Sequence, residues 1–177
     1  AAENGVADRI VVINKNFATA ILPEKADILV TETFGAWALA EGAAPELRQC
    51  VENNLKPQGV LLPHTVQLWM APLLESPPEL LHPFRKREDG LDLSFFRQFA
   101  QLRSANVRVK NYGTPTPIAT LSLLENTFSG HISIPNDCEA LVLWFDLLFP
   151  EKIALSTHPD SLPTHWKQTV IAAKLSK

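Results

Sequence analysis

Apolar residues in the first third of the chain form short continuous runs, with a helical repeat before the last of them. Three runs predict strands: "RIVVIN" (residues 9–14), "ADILVTE" (residues 26–32) and "KPQGVLLP" (residues 56–63). Continuous apolar runs of this kind are typical of a parallel sheet covered on both faces. Residues 44–55 have apolar positions at helical spacing, and Pro45 suits the first turn of a helix. The pattern predicts strand, loop, helix and strand, part of an open α/β sheet.

After Pro63 the pattern changes to short strand candidates separated by turn residues. The predicted strands are residues 65–72, 107–110, 118–124, 128–134, 140–149, 153–156 and 167–173. An irregular proline- and charge-rich connection is predicted at residues 75–89, and a short helix at residues 91–102. Such a succession indicates an antiparallel sheet, sandwich or barrel. The expected fold class is therefore α/β plus β, with a domain boundary between residues 1–63 and 64–177.

Composition and charge narrow the class of protein. The chain has 177 residues, of which 46% are apolar and 20% charged, so one ordinary domain or two small half-domains can form a core. A net charge of −3 gives no electrostatic footprint for nucleic acid or an anionic membrane. Cys50 and Cys138 lack metal-site spacing and are expected to be buried thiols. We expect a soluble cytoplasmic protein that binds no metal, nucleic acid or membrane.

Two carboxylates stand out in the stretch "TETFGAWALAEGA" (residues 31–43). Glu32 follows an apolar strand, and Glu41 comes nine positions later with no charged residue between them. A loop that leaves a strand and enters a helix can aim both into one cavity, at the carboxyl end of a parallel strand. Such pairs serve as glycosidase acid and base, hard-metal ligands or a clamp for a cation. Alternatively, Glu32 ends a strand in solvent and Glu41 caps the helix.

The second candidate stretch is "STHPDSLPTHWKQTV" (residues 156–170), a turn-rich loop that leads into a strand. It contains Thr164, His165 and Trp166 in succession. Histidine titrates near physiological pH and can pair with a carboxylate. Tryptophan offers a flat surface to a cation or an apolar stem. The alternative is that both are ordinary loop and core residues.

Taken together, these stretches resemble the protein arginine methyltransferase family. The strand "ADILVTE" is similar to that family's D-I-[IL]-[IV]-[ST]-E strand, and a second glutamate follows nine residues on. "LKPQGVLLP" (residues 55–63) matches L-x-x-x-G-x-x-x-P before a β-barrel, and "THWKQTV" (residues 164–170) is similar to a loop in that barrel. The motifs occur here in the family's order. The resemblance implies the C-terminal part of a Rossmann-like methyltransferase sheet, followed by a β-barrel-like antiparallel domain.

The resemblance also implies an activity and its residues. Methyl transfer from S-adenosylmethionine to a substrate arginine is expected, with an arginine-containing protein or peptide as partner. Glu32 and Glu41 would grip the guanidinium, and His165 would brace the site through a carboxylate. Trp166 and Thr164 would bind substrate, with Trp166 lining its channel.

For the cofactor, the resemblance assigns the adenine contact to Phe17 and Ala18. It implies that the family's Gly-rich loop lies before Ala1 and that further barrel strands lie after Lys177. An exposed sheet edge would result, so a homo-oligomer or pairing with the missing part is expected. The alternative is a non-catalytic relative that serves as a basic-peptide binding or assembly module. A glycosidase-like pair is disfavoured, because the apolar loop offers no polar sugar-binding surroundings.

Overall fold

A computed structural model of the protein describes residues 3–38, 41–73, 89–92, 104–124, 138 and 140–172. One helix and eight strands are present in these ranges. In chain order they are β1 (Ala26–Val30), α1 (Ala44–Asn54), β2 (Leu55–Leu62), β3 (Thr65–Leu73), β4 (Ser104–Val107), β5 (Thr116–Ser122), β6 (Ala140–Leu148), β7 (Ala154–Ser156) and β8 (Gln168–Ala172). Single 3-10 turns lie at Ala7–Arg9 and Pro150–Lys152. Among the described helices, none is long and apolar enough to cross a membrane.

A parallel pair of strands forms the first unit. β1 and β2 pair in parallel, with Ile28 opposite Val60 and Val30 opposite Leu62. α1 connects them, as a parallel connection requires. Pro45 lies in its first turn, and the helix buries Leu47. The predicted strand–helix–strand order is confirmed for these three elements.

A six-stranded antiparallel sheet forms the second unit. The strand order is β4-β8-β6-β3-β5. β8 and β7 pair with the same edge of β6, β8 along its first residues and β7 along its last. The central strand β6 pairs with β3 along its whole length. Because β6 has neighbours on both edges and apolar layers on both faces, Trp144 and Phe145 are both almost fully buried. The predicted antiparallel sheet is confirmed, with β3, β5, β6, β7 and β8 near their predicted positions.

One apolar cluster joins the two units. Phe34 and Ala38, from the loop after β1, and Leu47 of α1 pack with Leu68 of β3 and Phe145 of β6. The opposite face of the six-stranded sheet packs in a second cluster, in which Trp144 and Val170 are buried. The first cluster fixes the loop that carries Glu32 against the antiparallel sheet.

Two strand predictions are wrong. "RIVVIN" (residues 9–14) is not a strand, and Val11 and Val12 are each 86% exposed. The described residues offer it no neighbouring strand, and an unpaired strand is not stable. The strand predicted at residues 107–110 lies earlier, at Ser104–Val107. It ends there because the Val109 N–H donates to the Gln168 side chain instead of to a strand.

Other expectations fall partly outside the described residues. Three predicted elements lie wholly or mostly outside the described residues. They are the strand at residues 128–134, the connection at residues 75–89 and the helix at residues 91–102 after its first two residues. The boundary between residues 1–63 and 64–177 stays a prediction, although β2 ends at Leu62 and β3 begins at Thr65. Both cysteines are free thiols. Cys138 is buried as expected, whereas Cys50 is only half-buried.

Candidate functional site

Glu32 lies just past the carboxyl end of β1. The Thr31 N–H donates to the Leu62 carbonyl at 2.9 Å, which extends the parallel pairing by one residue. The Thr31 and Thr33 hydroxyl groups lie 3.0 Å apart and are hydrogen-bonded, so both neighbours of Glu32 are fixed. The Glu32 side chain itself is 67% exposed. Its carboxylate is therefore held at the sheet edge but open to a ligand.

A tight turn follows Glu32. The Ala38 N–H donates to the Gly35 carbonyl at 3.0 Å. Trp37 and Ala38 have φ values of 53° and 57°, a left-handed conformation that is uncommon outside glycine. Burial of Phe34 and Ala38 in the joining cluster holds this conformation. Strained backbone of this kind is concentrated at functional sites.

His165 meets Glu32 from the antiparallel unit. Its Nε2 lies 3.4 Å from Glu32 Oε1, and the two side chains are 71% and 67% exposed. An exposed pair of this kind contributes at most about 1 kcal/mol. A carboxylate has roughly four acceptor positions on its two oxygens. The contact therefore orients Glu32 while leaving it able to bind another donor.

Trp166 packs beneath this pair. Its indole N–H donates to the Phe34 carbonyl at 2.8 Å. Its ring centroid lies 6.4 Å from that of Phe34, 5.6 Å from that of Phe145 and 4.1 Å from that of His165. Trp166 thus ties the Glu32 loop to the His165 turn. That it also lines a substrate channel stays a prediction.

The structure does not bring Glu41 into this cluster. Glu41 lies exposed in the turn before α1, and no hydrogen bond or ion pair joins it to another described residue. The N-cap of α1 is Ala43, without a side-chain cap hydrogen bond, so the alternative of Glu41 as a helix cap is wrong. Thr164 turns its hydroxyl inward, where Oγ1 is buried and unpartnered among the described residues.

The two residues assigned to the cofactor lie before β1. Phe17 is 38% exposed, and Ala18 is buried. The Ala18 N–H donates to Asn16 Oδ1 at 2.8 Å, and its carbonyl accepts from Asn53 Nδ2 at 3.4 Å. Both backbone groups that could meet an adenine ring already have protein partners. The assignment of Phe17 and Ala18 to a cofactor site stays a prediction.

A polar cluster that no sequence pattern indicates lies on the other face of the antiparallel sheet, against Trp144. The Tyr112 hydroxyl donates to Asp160 Oδ2 at 2.7 Å and lies 3.3 Å from His158 Nε2. The rings of Tyr112 and His158 both pack on Trp144. Burial, then the hydrogen bond to Asp160 and its charge, raise the pKa of Tyr112 to about 12. Tyr112 is the only tyrosine of the chain, but no local pattern links it to Asp160.

Comparison with protein-family models gives one match. Residues 98–174 match the arginine methyltransferase oligomerization subdomain. This range includes β4 to β8 and the turn that carries His165 and Trp166.

Curated relatives match over almost the whole chain. Protein arginine N-methyltransferase 6 of Xenopus laevis is 29% identical over 191 residues, which cover 95% of this chain and 56% of that protein. The protein of the same name from Danio rerio is 30% identical, and the match covers 55% of that protein. An arginine N(omega)-methyltransferase of Streptomyces achromogenes subsp. streptozoticus is 28% identical and is covered to 50%. The chain spans about half the length of these relatives.

Solved structures share the fold. The Trypanosoma brucei PRMT1 enzyme–prozyme heterotetrameric complex with AdoHcy aligns with a TM-score of 0.74 at 20% identity, over 96% of this chain and 59% of that one. Arabidopsis thaliana protein arginine methyltransferase 10 aligns with a TM-score of 0.70 at 21% identity, over 99% and 64%. At these identities the likeness shows the fold. The family model and the curated relatives support the assignment of the chain to the protein arginine N-methyltransferase family.

Proposed function

We propose that the protein carrying this chain transfers a methyl group from S-adenosylmethionine to a guanidinium nitrogen of an arginine in a protein or peptide. The observation that carries the proposal is the Glu32–His165 pair at the carboxyl end of β1. The family assignment supports the reaction class, and the AdoHcy in the trypanosomal complex supports the type of methyl donor.

Glu32 is suited to hold the guanidinium. Its carboxylate is exposed, fixed by its neighbours and bonded to His165 through only one oxygen. A planar guanidinium forms parallel charge-assisted hydrogen bonds with carboxylates. The second carboxylate is assigned to Glu41, which is exposed in the turn before α1 and would have to approach Glu32 when the arginine binds. Two such contacts fix one terminal nitrogen for attack and supply the orientation that such transfers require.

His165 has two tasks in this proposal. Its contact with Glu32 orients the carboxylate, and Trp166 supports the imidazole from below. Methyl transfer would form a new N–C bond at the guanidinium while the S–CH3 bond of the donor breaks, and one proton leaves the guanidinium, so that the product keeps a single positive charge. We assign the acceptance of that proton to the imidazole of His165, since histidine is the side chain that most often serves as a general base.

A complete binding site for the methyl donor requires residues in addition to those described above. S-adenosylmethionine supplies, when bound, a methyl group on a positively charged sulfur. Phe17 offers an exposed ring, but the backbone of Ala18 is already hydrogen-bonded. No step is assigned to these two residues. We further propose that β1, α1 and β2 belong to a Rossmann-like sheet and that residues 64–177 form a barrel-like domain, in a cytoplasmic homo-oligomer.

Methyl transfer from tritium-labelled S-adenosylmethionine to an arginine peptide, measured in the complete gene product, tests the proposal. We expect label on the arginine peptide and none on its lysine counterpart. Glu32→Gln should lower the rate by at least about 100-fold, because the charge that orients the guanidinium is lost. Glu52→Gln, at an exposed position on α1, is the matched control and should keep the rate.

A second function is favoured by the engaged backbone of Ala18. In that case the protein binds a basic peptide through Glu32 and transfers no methyl group. Arginine-peptide binding that Glu32→Gln abolishes, together with no transfer by the complete gene product, would select this function. Transfer that depends on Glu32 would exclude it.

A further inference from the structure

The short turn that carries His165 has two sides. His165 and Trp166 face the Glu32 loop, where they contact Glu32 and Phe34. Thr164 and Lys167, which flank them, instead line a cavity on the other side of the turn. Lys167 has a φ of 55°, so the backbone reverses at this point in a conformation uncommon for lysine. The cavity is therefore separate from the candidate site but shares its turn.

Two basic side chains line the cavity. Arg108, which follows β4, and Lys167 line it, and no aspartate or glutamate is among its lining residues. Neither cation forms an ion pair with another described residue. Asp160 lies between the lining residues Pro159 and Ser161. Its carboxylate accepts from the Tyr112 hydroxyl and pairs with His158 at 4.0 Å.

Thr164 and Ser161 are among the lining residues that carry hydroxyl groups. Thr164 Oγ1 is shielded from solvent, so it does not open into the cavity. We therefore assign the Ser161 hydroxyl, rather than that of Thr164, to the cavity. A hydroxyl group can donate a hydrogen bond to an anion, whereas it meets a cation only through its oxygen lone pairs.

The size of the cavity limits what can bind. Its volume is about 40 Å³, room for more than one water molecule. Organic ligands of drug size need roughly 300 Å³ or more. The space therefore suits a single small group.

We propose that this cavity binds a small oxyanion, a phosphate or a carboxylate group, between Arg108 and Lys167, with the Ser161 hydroxyl as a further donor. Cations and hydroxyl groups are the donors that proteins use for such groups. The proposal rests on the cavity alone and is independent of the methyl-transfer activity.

Titration of the protein with inorganic phosphate and, separately, with acetate at constant pH and ionic strength tests the proposal by two-dimensional amide NMR. We expect saturable shifts in residues 157–168. The anion that binds more tightly identifies the phosphate or the carboxylate source. Arg108→Gln and Lys167→Gln should each weaken binding by roughly fivefold, the upper end for an exposed ion pair.

Lys110→Gln is the matched control, since Lys110 is exposed two residues after Arg108 but does not line the cavity. It should leave the affinity unchanged, as should Glu32→Gln, which disables only the proposed arginine site. The absence of saturable shifts with both anions would overturn the proposal. An equal loss of affinity in Lys110→Gln and Lys167→Gln would also overturn it. Unchanged amide spectra away from the cavity would show that the variants remain folded.

Discussion

Glu32 and His165 come from different units of the chain, and their contact at 3.4 Å is the geometric basis of the proposed site. The residue types and their motifs could be identified from the sequence. The exposure of Glu32 could not be predicted, because the apolar residues around it in the sequence suggest a desolvated carboxylate. Phe34 and Ala38 instead turn into the core and leave Glu32 at the surface. Glu41 shows the limit of spacing arguments, since nine positions do not determine where its side chain lies.

Tyr112 should titrate at a higher pH than an ordinary tyrosine. Its pKa is raised from 10.0 to about 12 by burial and by Asp160. The folded state therefore favours the neutral phenol. This contribution to stability is fully present below pH 10 and is lost as the pH rises from 10 to about 12. Absorbance of the phenolate at 295 nm, read immediately after a pH jump, reports this group alone because the chain has one tyrosine.

Two further titrations separate the effects of burial and of Asp160 on the pKa of Tyr112. Asp160→Asn should lower the pKa of Tyr112 but leave it above 10, since burial is the larger cause. The same protein in denaturant should titrate near 10. A native titration near 10 would contradict the described hydrogen bond and the burial of the hydroxyl.

At the scale of elements, Gln168 links three parts of the antiparallel unit. Its Oε1 accepts from the Val109 N–H at 3.1 Å, and its Nε2 donates to the Thr157 carbonyl at 2.8 Å. This side chain ends β4 and holds the segment before the His165 turn. A contact between a side chain and a distant backbone leaves no trace in local apolar patterns. For this reason β4 was predicted three residues too late, whereas α1 and β6, with clear periodicity or long apolar runs, were predicted closely.

Gln168→Leu should lower the free energy of unfolding by about 2–4 kcal/mol, because it leaves two buried backbone groups without partners. Urea denaturation followed by tryptophan fluorescence measures this change. Gln49→Leu, at an exposed position on α1, should change the value by less than about 0.5 kcal/mol. Equal stability of the Gln168→Leu protein and the wild type would contradict the proposed role of Gln168.

At the scale of the whole molecule, the parallel unit exposes an apolar edge. Among the described strands β1 pairs only with β2, and its Ile28 and Val30 are 56% and 74% exposed. Unpaired edges and exposed apolar patches are sites of association. The match to an oligomerization subdomain concerns residues 98–174, a different part of the chain. Patterns of apolar residues predicted the strands, but not which of their faces remain uncovered.

We expect the 19.6 kDa chain to self-associate with increasing concentration in sedimentation velocity. The double variant Ile28→Thr/Val30→Thr keeps β-branched side chains but makes the edge more polar, so it should shift the distribution toward the monomer. Ile153→Thr, at an exposed position outside this sheet, should have no such effect. A wild-type chain that stays monomeric at all concentrations would contradict the expected association.

If Glu32 and His165 form a site for an arginine side chain, the imidazole NMR signal of His165 responds when such a side chain binds. The signal can be assigned among the five histidines by comparison with His165→Gln. An arginine peptide should shift this signal saturably, and a matched lysine peptide should shift it much less. The arginine-induced shift should disappear in Glu32→Gln and persist in Glu52→Gln. An unshifted His165 signal, or the same arginine-induced shift in Glu32→Gln, would contradict the proposed arginine site.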